Sequence, residues 1–399
     1  MNYLKQLAGQ TAVYGLGIVL PRLLNYLLLT PFYTRQFTRA EYGIITELYA
    51  YVVFLLVILT YGMETGFFRF AEGGKKSDNV YKTALISLLS TSVFFVVLIA
   101  IFNKNIANVL DYSNHPEYIL WLGIIVALDA FTAIPFARIR YENKAFKYAL
   151  IRITEVSVNI AANWFFIYYC HKHYTDNEFI GKIYNPEIKV GYVLISNLIA
   201  TGVKTILLYR EIFKISGRFN TRLLKELLVY SMPLLIAGLA GTINEALDRI
   251  LLKYRLPDDL NAMEQLGIYG ANFKLAVLMT LFIQMFRYAA EPFFFSKKDE
   301  INAKTIYADV MKFFVFSCMV IFLFVTLYLD VFKLFIGKDF RGGIAIVPVI
   351  LLANLFMGIF YNLSVWFKLS NLTRYGALLV IIGAIITIII NYFFIPVYG

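Results

Sequence analysis

One strongly apolar segment carries polar side chains at a regular helical spacing. Arg152, Glu155, Asn159 and Asn163 follow one another at steps of three, four and four residues. This spacing places all four side chains on one face of a helix. A charged side chain at the centre of a bilayer costs about 2.5–3.5 kcal/mol on insertion scales, so it usually faces a cavity or a partner. The stripe therefore predicts either the lining of a water-filled cavity or polar contacts that hold helices together.

Further ionisable and amide side chains fall inside other predicted membrane segments. They are Arg22, Asn25, Glu64, Asp129, Asp248, Lys274, Arg287 and Glu291. Glu64 and Glu291 lie near the predicted cytoplasmic ends of their helices, where a carboxylate belongs either to an inner gate or to an ion pair with a loop cation. Asp248 shares a helical stripe with Asn244 and is the expected cavity residue of its segment.

Two prolines lie within predicted membrane helices, Pro21 in the first and Pro233 in the seventh. A proline leaves a carbonyl without its helical donor and lets the helix bend. The two positions therefore either serve as hinges or are merely tolerated.

The composition requires a membrane to cover these segments. Hydrophobic residues make up 60% of the 399 residues, charged residues only 16%, and the mean hydropathy is +0.67. A soluble domain could not bury so much apolar surface. The two cysteines lie at or inside apolar runs, which argues against a disulfide framework or a cysteine metal site. No phosphate-binding glycine loop occurs, so the sequence predicts no ATPase activity, no cofactor and no resident metal.

Eleven apolar runs have the length needed to cross about 30 Å of hydrocarbon as helices. Their limits are 8–32, 43–67, 82–102, 118–137, 148–170, 190–209, 227–249, 267–291, 309–329, 344–366 and 375–395. The run 8–32 is too long for a cleaved signal peptide and is expected to remain as the first helix. Alternate loops hold nineteen Lys and Arg residues against eleven in the opposite set. This bias predicts a cytoplasmic N-terminus. The net charge of +11 is scattered between the spans, which argues against a nucleic-acid partner and suits anionic lipid.

The chain contains an internal repeat. Tyr42-Gly43, Tyr61, Glu64 and Phe67-Phe68 recur 227 residues later, and Asn143, Asn163 and Phe165-Phe166-Ile167 recur after 228 residues. The repeat predicts two pseudo-symmetric, parallel six-helix bundles, 1–215 and 216–399, related by an axis along the membrane normal. The second bundle lacks its last helix, which suggests a truncated record or a fragment.

Four sequence runs resemble polysaccharide flippases of the Wzx type. They are Leu20-Pro21-Arg22-Leu23-Leu24-Asn25, Thr38-x-x-Glu41-Tyr42-Gly43, Tyr61-Gly62-Met63-Glu64-Thr65 with Phe67-Phe68-Arg69-Phe70, and Tyr230-Ser231-Met232-Pro233-Leu234. The Wzx type belongs to the multidrug/oligosaccharidyl-lipid/polysaccharide exporter superfamily, and the resemblance spans the whole chain. Members usually have twelve or fourteen helices, so eleven is a departure.

The resemblance implies movement of an undecaprenyl-diphosphate-linked oligosaccharide from the cytoplasmic to the outer leaflet of the cytoplasmic membrane, for surface polysaccharide such as O-antigen or capsule. Arginine meets phosphate oxygens in bidentate, charge-assisted pairs. The resemblance assigns the diphosphate and glycan cavity to Arg22, Asn25, Arg152, Asn159, Asn163, Lys274 and Arg287. It assigns ion coupling or gating, with a proton or sodium ion, to Glu64, Asp129, Glu155, Asp248 and Glu291. A polysaccharide polymerase and glycosyltransferases are the expected protein partners.

Two other functions fit parts of the sequence. A multidrug or organic-cation antiporter of the same superfamily predicts an acidic, aromatic cavity, whereas cations here are at least as prominent as carboxylates. A membrane-embedded glycan polymerase or ligase needs a large outer loop, and the longest one, about 171–189, is short. The sequence therefore favours a non-enzymatic flippase.

Overall fold

The computed structural model describes residues 17, 19–72, 77–213, 216–257, 259–296, 302–370 and 372–398, and these residues form helices and no strand. The main helices are α1 (Thr30–Gln36), α2 (Arg39–Thr60), α3 (Met63–Glu72), α4 (Ser77–Val109), α5 (Pro116–Tyr141), α6 (Ala145–Asn163), α7 (Gly191–Leu207), α8 (Thr221–Arg255), α9 (Ala262–Leu275), α10 (Val277–Ser296), α11 (Ala303–Leu327), α12 (Val347–Leu369) and α13 (Thr373–Tyr398). A π-helical turn, Asn25–Leu29, precedes α1, and another, Trp164–Cys170, follows α6. Short helical turns connect the rest: His171–His173, Glu178–Ile183, Pro186–Ile188, Tyr209–Phe213, Leu329–Phe332, Lys333–Phe335 and Lys338–Ile346.

The helices confirm the predicted all-helical membrane architecture. Within the described ranges, eight helical stretches are long and apolar enough to cross a membrane, and a ninth results if α9 and α10, which meet at a 49° bend, form one span. The predicted segment 190–209 corresponds to α7, which is apolar but only 17 residues long. The predicted segment 8–32 is described only in part, and its N-terminal half lies outside the described residues. Hydropathy therefore located the helices, but it could not show which of them reach full spanning length.

The described chain divides into two compact units, one formed by residues 47–250 and the other by residues 1–46 and 251–399. Both boundaries fall within long helices, α2 and α8. The sequence repeat predicts a different division, into the bundles 1–215 and 216–399. That division follows internal sequence similarity instead of packing, and it stays a prediction.

Residues 47–250 pack around a core of aromatic and aliphatic side chains from α3, α4, α5 and α8. Phe67, Tyr81, Leu88, Ile134 and Leu227 are fully buried in this core. The core holds α3 and α4 against the end of α5 from which the following helix, α6, starts. The polar stripe of α6 is therefore carried on a rigid support instead of a loop.

In the other unit, the start of α2 crosses α9 at a pair of glycines. A Cβ added at Gly43 would overlap the carbonyl oxygen of Met263, and one added at Gly267 would overlap the carbonyl oxygen of Arg39. Only residues without side chains permit helix backbones to approach this closely. Tyr42, next to Gly43, packs edge-to-face against Phe340 at 5.4 Å between ring centroids.

The break between α2 and α3 lies at Tyr61 and Gly62, which have φ angles of +33° and +69°. Gly62 suits this left-handed conformation because it has no Cβ. Of the two candidate hinges, Pro21 is buried one turn before the π-helical segment Asn25–Leu29, a feature that often accompanies a helix bend. Pro233 lies inside α8, which continues from Thr221 to Arg255. The hinge roles stay predictions.

Candidate functional site

Four charged side chains from three helices meet inside the unit of residues 47–250. Lys204 of α7 pairs with Asp129 of α5, and its Nζ lies 2.9 Å from Oε1 of Glu155 on α6. The other oxygen of that carboxylate, Oε2, accepts a hydrogen bond of 3.0 Å from Arg152. Two cations and two carboxylates thus balance, which reduces the cost of holding them in an apolar bundle. We call Asp129, Arg152, Glu155 and Lys204 the charge cluster.

The two cations of the charge cluster differ in their access to the surroundings. Lys204 is almost completely buried, with 2% of its side chain exposed, whereas 35% of the Arg152 side chain is exposed. The Arg152 guanidinium lies over the ring of Phe136, 4.1 Å from its centroid. An aromatic face attracts a guanidinium and fixes its plane. Arg152 is therefore both accessible and oriented.

The remaining polar residues of the α6 stripe bond within their own helix. Asn163 is fully buried, and its amide donates to the backbone carbonyl of Asn159 at 2.8 Å and to its side-chain oxygen at 3.0 Å. The stripe thus makes a helix–helix contact through Glu155 and offers an exposed cation through Arg152. The polar contact between helices is therefore present, and the lining of a water-filled cavity stays a prediction.

Sequence reasoning missed Lys204, the most deeply buried member of the charge cluster. The sequence analysis singled out no polar residue of the predicted segment 190–209. The informative signal was the spacing of Asn197, Thr201 and Lys204, at steps of four and three, which forms a polar stripe on α7. Asn197 donates to the hydroxyl of Tyr49 at 2.7 Å, and Thr201 lies between Asn197 and Asp129.

The other unit holds the candidate residues Arg22, Asn25, Lys274 and Arg287. Arg22 donates a short hydrogen bond to the side-chain oxygen of Gln284 on α10. Arg287 lies one turn further along α10, and its guanidinium is 4.0 Å from the ring centroid of Tyr361. The structure therefore brings Arg22 to the polar face of α10 that carries Arg287.

The side-chain oxygen of Asn25, Oδ1, is buried and accepts no hydrogen bond among the described residues. Lys274 is exposed in the last turn of α9, beside the bend that leads into α10. A buried acceptor without a donor costs free energy and therefore calls for an explanation.

The carboxylates proposed for gates lie at different places. Glu64 in the first turn of α3 forms a short ion pair with Arg140 near the end of α5, as expected for a helix-end anchor. Asp248 is half-buried near the end of α8. Glu291 belongs to α10, but its side chain lies outside the described residues. The carboxylates Asp129 and Glu155 belong to the charge cluster.

Beyond the end of α5, Glu142 accepts hydrogen bonds from Arg138 and Lys144, each at 2.5 Å. Burial acts to raise the pKa of the Glu142 carboxyl, but these two cations outweigh it and hold the pKa below its usual value. Arg138 also pairs with Asp78 at 2.8 Å. The ion pairs fix the turn from which α6 starts. Across the described residues, no group of three or more His, Cys, Asp and Glu side chains could hold a metal ion.

The profile of a protein family described as polysaccharide biosynthesis protein matches residues 7–298. No curated protein matches the chain significantly.

Solved transporter structures share its fold at low sequence identity. An inward-facing multidrug resistance MATE family transporter of the MOP superfamily has a TM-score of 0.63 and 14% identity, over 96% of this chain and 96% of that chain. A MATE protein in complex with MaD3S gives a TM-score of 0.66 and 13% identity, over 97% and 94% of the two chains.

A MOP superfamily transporter from Pyrococcus furiosus Vc1, described as having a binding pocket of reverse polarity, gives a TM-score of 0.54 and 14% identity, over 97% and 94% of the two chains. At such identities the likeness shows the fold alone, whereas the family profile covers most of the chain. The chain therefore belongs to the polysaccharide biosynthesis family of membrane flippases and has the fold of MOP superfamily transporters.

Proposed function

We propose that the protein moves an undecaprenyl-diphosphate-linked oligosaccharide from the cytoplasmic to the outer leaflet of the cytoplasmic membrane. The family profile and the transporter fold support an exporter that serves polysaccharide biosynthesis. Alternating access between two pseudo-symmetric bundles would carry the glycan through a polar path, while the lipid tail stays in the bilayer. The product would enter a surface polysaccharide such as O-antigen or capsule.

The observation that carries the proposal is the nature of the partners of Arg22 and Arg287. Arg22 is held by the neutral amide of Gln284, and Arg287 lies on the ring of Tyr361. Among side chains that the structure describes, no carboxylate pairs with either guanidinium. Within the described side chains, both positive charges therefore have neutral partners. A diphosphate could accept charge-assisted, bidentate hydrogen bonds from such groups.

An organic-cation antiporter of the same superfamily is the second candidate, favoured by the similarity to MATE transporters. Such a protein needs carboxylates that are free to receive a cation. Here Asp129 and Glu155 are occupied by Lys204 and Arg152. A cation would have to displace the buried Lys204, which argues for the anionic cargo.

Coupling to a proton or sodium ion is part of the proposal. Asp129 and Glu155 are the principal candidates, because a change in their charge would alter their ion pairs and hence the packing of three helices. Glu64, Asp248 and Glu291 are proposed as gating or coupling carboxylates. The loop charges support a cytoplasmic N-terminus.

The test uses purified protein in vesicles that contain labelled undecaprenyl-diphosphate-linked oligosaccharide, and it measures label reaching the opposite leaflet. We expect Arg22→Ala combined with Arg152→Ala to abolish flipping and surface glycan display while protein level and insertion stay normal. Arg222→Ala is the matched control, because 93% of its side chain is exposed. Normal flipping by the double variant, or drug efflux without flipping, would refute the proposal.

A further inference from the structure

The carboxylate of Glu155 is shared between two cations on different helices. Its Oε2 lies 3.0 Å from Nη1 of Arg152, and its Oε1 lies 2.9 Å from Nζ of Lys204. Each oxygen therefore has its own cation, and loss of one pair leaves the other geometrically intact. This division would allow Glu155 to release Arg152 without becoming an unpaired charge in the membrane.

The two cations differ in how readily they can change partners. Lys204 is buried between Asp129 and Glu155, so water or a ligand cannot replace its carboxylates without moving α7. Arg152 is partly exposed and is supported from one side by the ring of Phe136. A guanidinium held on an aromatic face keeps its orientation when its carboxylate leaves.

We propose that Lys204 is a positioning residue that makes the Arg152–Glu155 pair exchangeable, so that a phosphate group can replace Glu155 on Arg152. Lys204 keeps its ion pair with the displaced carboxylate of Glu155. The phosphate then accepts hydrogen bonds from the guanidinium N–H groups of Arg152 that Glu155 has left. The inference rests on the proposed function, since it takes the incoming phosphate to be the diphosphate of the cargo. Phosphate suits this exchange because it offers more acceptor oxygens to the guanidinium than the single carboxylate oxygen it replaces.

Charge balance explains why Lys204 is needed. In the charge cluster, two carboxylates share two cations. Without Lys204, Arg152 would be the only cation of the cluster facing Asp129 and Glu155, and Glu155 would bind it more strongly. A phosphate would then compete against a tighter ion pair. Without Glu155, by contrast, Lys204 would have little influence on Arg152.

The experiment titrates the purified full-length protein in detergent with inorganic pyrophosphate and measures the dissociation constant by calorimetry. The variants are Glu155→Gln, Lys204→Met, Lys204→Arg and the double variant Glu155→Gln/Lys204→Met. We expect Glu155→Gln to tighten binding about tenfold and Lys204→Met to weaken it about tenfold, which is about 1.4 kcal/mol each. Lys204→Arg should bind like wild type, and a further variant, Arg152→Gln, should bind more weakly than wild type.

The decisive result is the dependence of the lysine effect on Glu155. In the Glu155→Gln background, Lys204→Met should weaken binding much less than in the wild type, because Glu155, the carboxylate that pairs directly with Arg152, no longer competes. A purely structural role for Lys204 predicts the same loss in both backgrounds, and that result would overturn the inference. So would an unchanged affinity in Glu155→Gln, or no pyrophosphate binding by the wild type.

Melting curves of each variant accompany the titrations, because removal of a buried cation can prevent folding. If Lys204→Met does not fold, Glu155→Gln and Lys204→Arg decide the question alone, with Glu178→Gln as the control at an exposed ion pair. The effect of Lys204→Met can depend on Glu155 as expected while the wild type does not flip lipid-linked oligosaccharide. In that case the proposed cargo is wrong, and the exchange at Arg152 serves another phosphate-bearing ligand.

Discussion

Gly43 and Gly267 bring the backbones of α2 and α9 into direct and reciprocal contact. A Cβ added at Gly43 would lie 3.3 Å from the backbone nitrogen of Gly267, and one added at Gly267 would lie 3.1 Å from the nitrogen of Gly43, beyond the overlaps with Met263 and Arg39. No side chain can enter this crossing. Because the obstacle is backbone, it cannot be relieved by a rotamer change.

Gly267→Ala should therefore push α2 and α9 apart and lower stability by about 1–3 kcal/mol, the usual cost of overpacking. The measurement is the melting temperature of the purified protein in detergent. Gly202→Ala on α7 is the matched control, since nothing lies within 4 Å of the added Cβ. The control should be as stable as wild type or more so, because alanine favours a helix over glycine by about 1 kcal/mol. Equal melting temperatures for the two variants would contradict the close crossing.

Phe136→Leu should reduce export while leaving the protein folded. The ring of Phe136 supports Arg152, and a cation–π contact contributes about 0.5–2 kcal/mol, with the larger values where water is excluded. Loss of orientation should lower the flipping rate roughly tenfold, equivalent to about 1.4 kcal/mol. Phe316→Leu, at a 67% exposed position of α11, serves as the control and should transport normally. Equal flipping rates for Phe136→Leu and Phe316→Leu would show that the Phe136 ring does not support the function of Arg152.

Asn25→Leu should separate stability from function. The buried Oδ1 of Asn25 has no donor, and an unsatisfied buried acceptor costs about 1–3 kcal/mol. A leucine of similar size should raise the melting temperature, yet flipping should fall if Asn25 receives a donor from the glycan. A stabilised variant with full activity would show that Asn25 does not contact the cargo. A destabilised one would show that its amide is satisfied.

Acidification should weaken the turn between α5 and α6 through Glu142. Its folded pKa lies below its ordinary value of 4.5, so the carboxylate stabilises the fold at higher pH, and this contribution is lost as the pH falls through the folded pKa. The melting temperature of wild type should drop below about pH 4.5, and Glu142→Gln should show a smaller drop. Glu178→Gln, with an 87% exposed side chain, should behave like wild type. Parallel curves for wild type and Glu142→Gln would contradict the pKa assignment.

Hydropathy and loop charges were sufficient to predict an all-helical membrane protein, because bilayer thickness and backbone hydrogen bonding leave few alternatives. The residues at which individual helices begin and end were harder to predict from the sequence. The 17-residue length of α7 and the π-helical turn Trp164–Cys170 depend on packing and local backbone geometry. Neither leaves a clear signal in residue type.

Three of the four residues of the charge cluster were singled out from the sequence, but the contacts between their helices were not predicted. The spacing on α6 indicated Arg152 and Glu155 correctly as one face, and the pair is present. Spacing along one helix cannot show which residue of another helix lies opposite, so Lys204 was missed and Asp129 was left without a partner. The association of Arg22 with Gln284, across 262 positions of sequence, was equally inaccessible.

The zero net charge of the charge cluster has an electrical consequence. A neutral group contributes almost nothing to the work done by the transmembrane voltage, which acts at about 2.3 kcal/mol per elementary charge for each 100 mV. When the proposed diphosphate is bound at the charge cluster, the net charge there would be that of the diphosphate itself. An interior-negative potential would then drive export electrophoretically, and its collapse by an ionophore would slow the outward step.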